Sequence, residues 1–280
     1  PAQCILNDVL FEDCRSGTDG AGIWTLDYAP PETAGNDMLV RLNRVTFRNC
    51  VAETDGGGAW FFYSTVELTD VIFEGCQAGY YGGGILLAGN EPGIPARLTR
   101  VNFTRCVSLN NKGGAMYMRD NAVAIYEDGY IDSCTAHEEG GAISSAIASQ
   151  TLTMRHVTVY RCSATTRGGA FQFHGVADLV DTHWIECSSK HGGAFDLHAP
   201  LSLTMTGGSI VRCFSTFDQF SEASAFWSYT GSHAVFQGVE MADCHSSGGF
   251  AIRVAGTVHM NGCRLVRMGS AATSGWSGAI

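Results

Sequence analysis

The chain has 280 residues and a formal net charge of −10, and an acidic chain without basic clusters argues against nucleic acid and anionic membrane as partners. Gly supplies 35 residues, Pro only 6, and charged residues 16%; Gly at this level without a G-X-Y period excludes collagen and does not suit a helical protein. No run of 18 apolar residues occurs, so no membrane-spanning helix is expected in this segment.

No signal-peptide pattern opens the chain. It starts inside one repeat at Cys4-Ile5-Leu6 and stops inside another at Ser277-Gly278-Ala279-Ile280. It therefore reads as one domain over residues 1–280, processed or excised from something longer. The repeat is L-x-x-V-x-F-x-x-C, followed by a Gly corner and an alternating apolar run. Clear copies are Leu42-Val45-Phe47-Cys50, Leu68-Val71-Phe73-Cys76 and Leu98-Val101-Phe103-Cys106; looser copies end at Cys14, Cys134, Cys162, Cys187, Cys213 and Cys244, and a tenth puts Met268 at the Cys position. The spacing varies from 24 residues (Cys244 to Met268) to 36 (Cys14 to Cys50), as expected when insertions enter loops and strands keep register.

The corners read Gly57-Gly58-Ala59, Gly113-Gly114-Ala115, Gly140-Gly141-Ala142, Gly168-Gly169-Ala170 and Gly192-Gly193-Ala194. Paired Gly fits a corner that needs positive φ or close backbone stacking. The runs after it alternate with period 2, as in Phe171-Gln172-Phe173, which predicts strand. The Leu-to-Cys half also resembles a Cys-type leucine-rich repeat, but the Gly pairs and β-branched residues of the other half are poor for the helix that fold requires. The expected fold is all-β, a single right-handed parallel β-helix of about ten coils.

Phe47-Arg48-Asn49-Cys50 with Gly57-Gly58-Ala59, and the stretch from Phe103 to Ala115, resemble the F-x-x-N and G-G-A-[ILV] repeats of chlamydial polymorphic outer-membrane proteins. The resemblance covers nearly the whole chain. It implies a pectin-lyase-like β-helix at the cell surface or outside the cell, used for adhesion or architecture. Cys stands where the chlamydial motif most often has Asn, a departure that points to a diverged eukaryotic relative of algal or protist type.

Repeat alignment is also a contact map, because equivalent residues on adjacent coils lie about 4.8 Å apart. Asp8, Arg44, Asp70, Arg100, Asp128, His156 and Asp181 alternate in sign at one position, and Arg161, Glu186, Arg212 and Asp243 at another; both read as register-fixing ladders. Cys14, Cys50, Cys76, Cys106, Cys134, Cys162, Cys187, Cys213 and Cys244 form a third, with Cys4 and Cys263 off it. In-register stacking suits disulfides poorly, and one Cys per coil does not make the converging pairs of a zinc site, so a buried column of free thiols is expected and no cofactor. Trp24, Trp60, Leu86, Met116, Ile143, Phe171, Phe195, Phe226 and Ile252 are assigned to one inward column after the Gly corner.

His174 and His198 fall at one repeat position on adjacent coils with Asp196 two residues before His198, a constellation with some capacity for metal or acid–base chemistry. A polar outer face that contains His is the simpler reading. Polysaccharide lyases and hydrolases on β-helices gather several Asp on one face, whereas the acids here alternate with bases. Asn102-Phe103-Thr104 is a glycosylation sequon whose Asn102 should face out. Three loops leave the coils: 27–41 with Pro30 and Pro31, 88–97 with Pro92 and Pro95, and 214–223 with Phe217 and Phe220. They are candidates for contact with other chains of a surface assembly or with carbohydrate. Neither end shows a polar cap, so the flanking polypeptide is expected to continue the helix or copies to join end to end. The function expected is non-catalytic, structural or adhesive, with a polysaccharide-active or carbohydrate-binding β-helix as the alternative.

Overall fold

A computed structural model describes residues 2–26, 38–89, 94–146, 149–216, 223–247 and 249–270. Every described strand pairs in parallel with its equivalent in a neighbouring repeat, so the described residues form an all-β parallel solenoid. Two of its sheets hold ten strands each, one per repeat, and the third holds seventeen because most coils break that side in two. The repeat Val71 to Ala88 shows the plan: strand Ile72–Glu74, corner, strand Gln77–Ala78, corner, strand Ile85–Ala88. No helix among the described residues is long and apolar enough to cross a membrane.

The corners follow from local chemistry. Two of them in most coils turn on a single residue with positive φ. The first row is Asp8, Arg44, Asp70, Arg100, Asp128, His156 and Asp181, then Gly207. The second runs Asp13, Asn49, Gly75, Arg105, Ser133, Arg161, Glu186, Arg212, Asp243 and Arg267. The two alternating charge rows therefore lie at the turns themselves. A non-Gly residue there costs roughly 1–2 kcal/mol, and ladder bonding between coils offsets part of it. Arg44 grips Asp8 with Nε at 2.6 Å and Nη2 at 2.7 Å, Arg100 holds Asp70 at 2.6 and 2.8 Å, and His156 stands 3.2 Å from Asp128. In the other row Arg212 pairs with Glu186 at 2.9 Å, while Arg161 turns instead to Asp132 at 3.3 Å. These pairs are exposed, each worth at most about 1 kcal/mol; their use is to penalise slipped register.

The Gly corner divides its two requirements between two residues. Gly140 has φ +64, and a Cβ on Gly141 would run into the Gly169 and Ser163 carbonyls of the next coil. Where three Gly occur in a row this division hides an offset. Strand register aligns Ile85 with Met116 and with Ala59, and Leu86 with Tyr117 and with Trp60. Trp24, Trp60 and Leu86 thus leave the inward column predicted for them and join an outward one, while Ile23, Ala59 and Ile85 take the inward places. Gly56-Gly57-Gly58 is the true equivalent of Gly113-Gly114-Ala115, and a shift of one residue in a strand reverses every side chain. Met116, Ile143, Phe171, Phe195, Phe226 and Ile252 do line the interior.

The interior is stacked column on column. Phe11, Phe47, Phe73 and Phe103 lie ring on ring with centroids 4.8, 4.7 and 5.0 Å apart, the offset-stacking range for aromatics. All eleven cysteines are free. Cys76 Sγ donates to the Phe47 carbonyl at 3.5 Å and Cys106 Sγ to the Phe73 carbonyl at 3.4 Å, so these buried thiols satisfy their weak donors on the preceding coil. Burial pushes the Cys134 and Cys213 thiols up, which keeps them neutral and makes them behave as small apolar groups. At the ends of the stack the same columns are only partly covered: Cys4, Leu6, Val9, Phe11 and Cys14 at one, Val258, Met260, Cys263, Leu265 and Met268 at the other.

Candidate functional site

The outward column that begins with Trp24 and Trp60 continues through Leu86, Tyr117, Ser144, Gln172, Asp196, Trp227 and Arg253. Period-2 alternation fixes it: Phe171 and Phe173 point in, so Gln172 and His174 point out, and likewise Phe195 and Leu197 against Asp196 and His198. His174 and His198 come together as the repeat alignment predicts, with ring centroids 5.4 Å apart. Two extra residues then bulge the later strand, since Phe173 pairs with Leu197 but Gly175 with Leu201.

The cluster is largely self-satisfied. Ser144 donates to Gln172 Oε1 at 2.5 Å, and Gln172 Nε2 donates to His174 Nε2 at 2.9 Å. Gln172 occupies one ring nitrogen of His174, and among the described residues no three His, Cys, Asp or Glu side chains are grouped to hold an ion. Burial, then the neighbouring His198, lowers the His174 pKa below the ordinary imidazole value. His198 Nε2 stands 2.7 Å from Asp196 Oδ1. Asp196 is 0% exposed, neither of its carboxylate oxygens has a well-directed hydrogen bond, and burial raises its pKa despite His198 and Arg167 nearby.

Aromatic rings extend the row. His198 stacks on Tyr229 at 4.1 Å, Tyr229 on Trp227 at 4.7 Å, and the Arg253 guanidinium lies 4.1 Å over Trp227. Beside them Glu139 takes Lys112 at 2.7 Å and Arg167 at 3.7 Å. The arrangement is one imidazole–carboxylate pair set in a stacked aromatic row, which can hold a proton, with the Glu139 carboxylate beside it paired to Lys112 and Arg167. Ser144, Gln172, Trp227, Tyr229 and Arg253 were not singled out from sequence. Their signal was available in the repeat alignment, as the residues level with Asp196 and His198 on neighbouring coils.

The other predicted positions are dispersed. Asn102 lies in the strand Asn102–Thr104 between Ile72 and Tyr130, partly exposed. Residues 38–41 belong to the strand Met38–Asn43 rather than to the first loop, Ala88 and Ala96 to the strands flanking the second, and Phe214, Ser215 and Ala223 to those flanking the third. The reason is that the insertions are shorter than the irregular sequence around them. The first two interrupt the same side of the coil, between the two strands of the broken sheet. Pro95 is half-buried; Pro30, Pro31, Pro92, Phe217 and Phe220 lie outside the described residues.

A stretch of 62 residues is 45% identical to the probable autotransporter YfaL of Escherichia coli (strain K12), covering 21% of this chain and 5% of that protein. The chain thus spans about a twentieth of the length of the curated relative it matches. No family model matches the chain, and no solved structure does. The partial match and the parallel solenoid are together compatible with a β-helix of a surface protein.

Proposed function

We propose that the chain is a non-catalytic, structural or adhesive β-helix of a cell-surface or extracellular protein, of the Pmp-like kind its repeats resemble. The observation that carries this reading is what the outer surface is made of. Its surface acids and bases bond chiefly to the coil above or below, as Arg48 in the strand Thr46–Arg48 does with Glu12 at 3.0 Å and Glu74 at 3.2 Å. Side chains committed to stacking coils serve a rod whose length and straightness matter. The match to a probable autotransporter supports a surface location.

A carbohydrate-binding role is the second reading, favoured by Trp24, which is 50% exposed in the outward column beside Trp60. Aromatic faces on a rigid sheet suit sugar rings. The test has two parts: protease accessibility of the tagged chain on intact cells, and incubation of the purified chain with neutral and acidic polysaccharides while following new reducing ends and unsaturated products. Cleavage of the chain on intact cells with no product formed is the expected result. Polysaccharide turnover lost in the Asp196→Asn variant would replace the structural reading with an enzymatic one.

A further inference from the structure

In the middle of the solenoid the outward column brings a serine hydroxyl against a carboxamide. The strand Ile143–Ser145 pairs with Phe171–Val180 so that Ser144 lies level with Gln172, and Gln172 lies level with Asp196 on the following coil. All three point away from the interior columns, yet Ser144 and Asp196 are 0% exposed and Gln172 1%. Ser144 Oγ is 2.5 Å from Gln172 Oε1. The C=O bond adds about 1.2 Å, so the carbonyl carbon is no more than about 3.7 Å from the hydroxyl oxygen, near the separation at which oriented groups react. The other buried hydroxyl pairs on this side, Thr25 with Ser64 and Ser228 with Ser232, set oxygen against oxygen with no carbonyl carbon between them.

The groups around Ser144 and Gln172 suit the exchange of an amide for an ester. Gln172 Nε2, the nitrogen that would leave, stands 2.9 Å from His174 Nε2. His174 is tied to the coil that carries Ser144: its backbone N–H donates to Ser145 Oγ at 2.8 Å, and Ser145 Oγ donates to its carbonyl at 3.1 Å. Burial keeps the imidazole neutral, so it has a lone pair with which to take a proton. Asp196 has neither oxygen in a directed hydrogen bond, and burial raises its pKa. As the neutral acid it has a proton to donate to the oxyanion that forms at Oε1. The same burial keeps water, which would hydrolyse an ester, away from all three side chains.

We infer that Ser144 and Gln172 join in an intramolecular ester that ties one coil to the next. Ser144 Oγ adds to Gln172 Cδ, its proton passes to His174 Nε2 and from there to the amide nitrogen, the Cδ–N bond breaks, and the nitrogen leaves as ammonia while the new Oγ–Cδ bond remains. No oxidant, reductant or cofactor enters. The bridge of Oγ, Cδ and Cγ spans the gap between adjacent strands. It closes residues 144–172 into a covalent loop, which restricts the unfolded chain as a disulfide of that span would. The link goes beyond the surface reading and does not depend on it.

Intact-mass spectrometry of the denatured full chain, when freshly purified and after several days at neutral pH, tests the ester. The wild type should come to be lighter than its sequence by one ammonia. A protease digest should contain a branched peptide that joins the segment around Ser144 to the segment around Gln172, and hydroxylamine should split it. Asn261-Gly262 can also lose ammonia by forming a succinimide, so the branched peptide decides rather than the mass alone. Ser144→Ala and Gln172→Leu should each abolish that peptide, and His174→Gln should slow its appearance by at least about tenfold. Circular dichroism checks that each variant is folded, and the wild-type measurement stands without them. A wild-type chain whose two segments are recovered only as separate peptides, deamidation at Gln172 with no branched peptide, or a branched peptide that persists in Ser144→Ala would overturn the ester. None of those results bears on the surface reading, which protease accessibility on intact cells decides separately.

Discussion

Asp196 Oδ1 stands 2.7 Å from His198 Nε2 in a carboxylate wholly shielded from solvent. The pair lies on the outer side of the sheet, yet its acid is as buried as the core. Burial raises the Asp196 pKa. A carboxyl raised in the folded state costs nothing below its unfolded value of about 3.9 and costs progressively more as pH climbs through the folded value. Asp196→Asn removes that cost. Its melting temperature relative to wild type should rise as pH increases from about 4 and then level off.

His174 has the opposite sign. Its lowered pKa means that protonation favours the unfolded chain, so stability is lost as pH falls below about 6.5. His174→Gln should flatten the acid side of the melting profile. Parallel profiles for wild type and variant between pH 4 and 8 would show that the imidazole is not held neutral.

Glycine substitutions separate conformational strain from coil spacing. Gly238 has φ +64 and open space around its missing Cβ, so Gly238→Ala should cost about 1–2 kcal/mol. Gly141 is not at positive φ, but its Cβ would meet the backbone of the next coil. Gly141→Ala should therefore cost more, about 3 kcal/mol or above, because two coils must part. Denaturant titration of both variants measures the difference, and equal losses would contradict the tight coil contact.

The thiol column predicts a graded reactivity. Cys4, Cys14 and Cys263 are partly exposed and the other eight are buried. A thiol reagent should modify at most those three quickly in the native protein and all eleven after denaturation. Fast modification of Cys106 or Cys134 in native buffer would mean that the coils open.

Much of this was legible in the sequence because the repeat is itself the contact map. Val45, Phe47 and Cys50 recur at fixed offsets, so their columns could be drawn before any coordinate was known. The proximity of His174 and His198 came from the same alignment. The reversal at Trp60 was hidden, because three consecutive Gly at 56–58 offer two ways to place a Gly pair and only strand register chooses between them. The bonding of His174 was hidden for another reason: Gln172 engages it through hydrogen-bond geometry that spacing does not encode. The charge rows were read as ladders but not as turn residues, although Gly207, Gly238 and Gly262 occupy the same position in later coils and so carried the signal for positive φ.

Coil-on-coil register underlies every assignment above, and one distance tests it most directly. Asn102 and Glu240 are 138 residues apart in sequence but belong to one column, joined through Tyr130, Thr158, His183 and Ser209. Five coil steps place their Cα atoms roughly 24 Å apart. Spin labels carried on ketone-bearing amino acids at these two positions, which leave the native thiols untouched, should give a single narrow distance near that value once label length is allowed for. A broad distribution, or a distance longer by several coil spacings, would contradict the stacked solenoid.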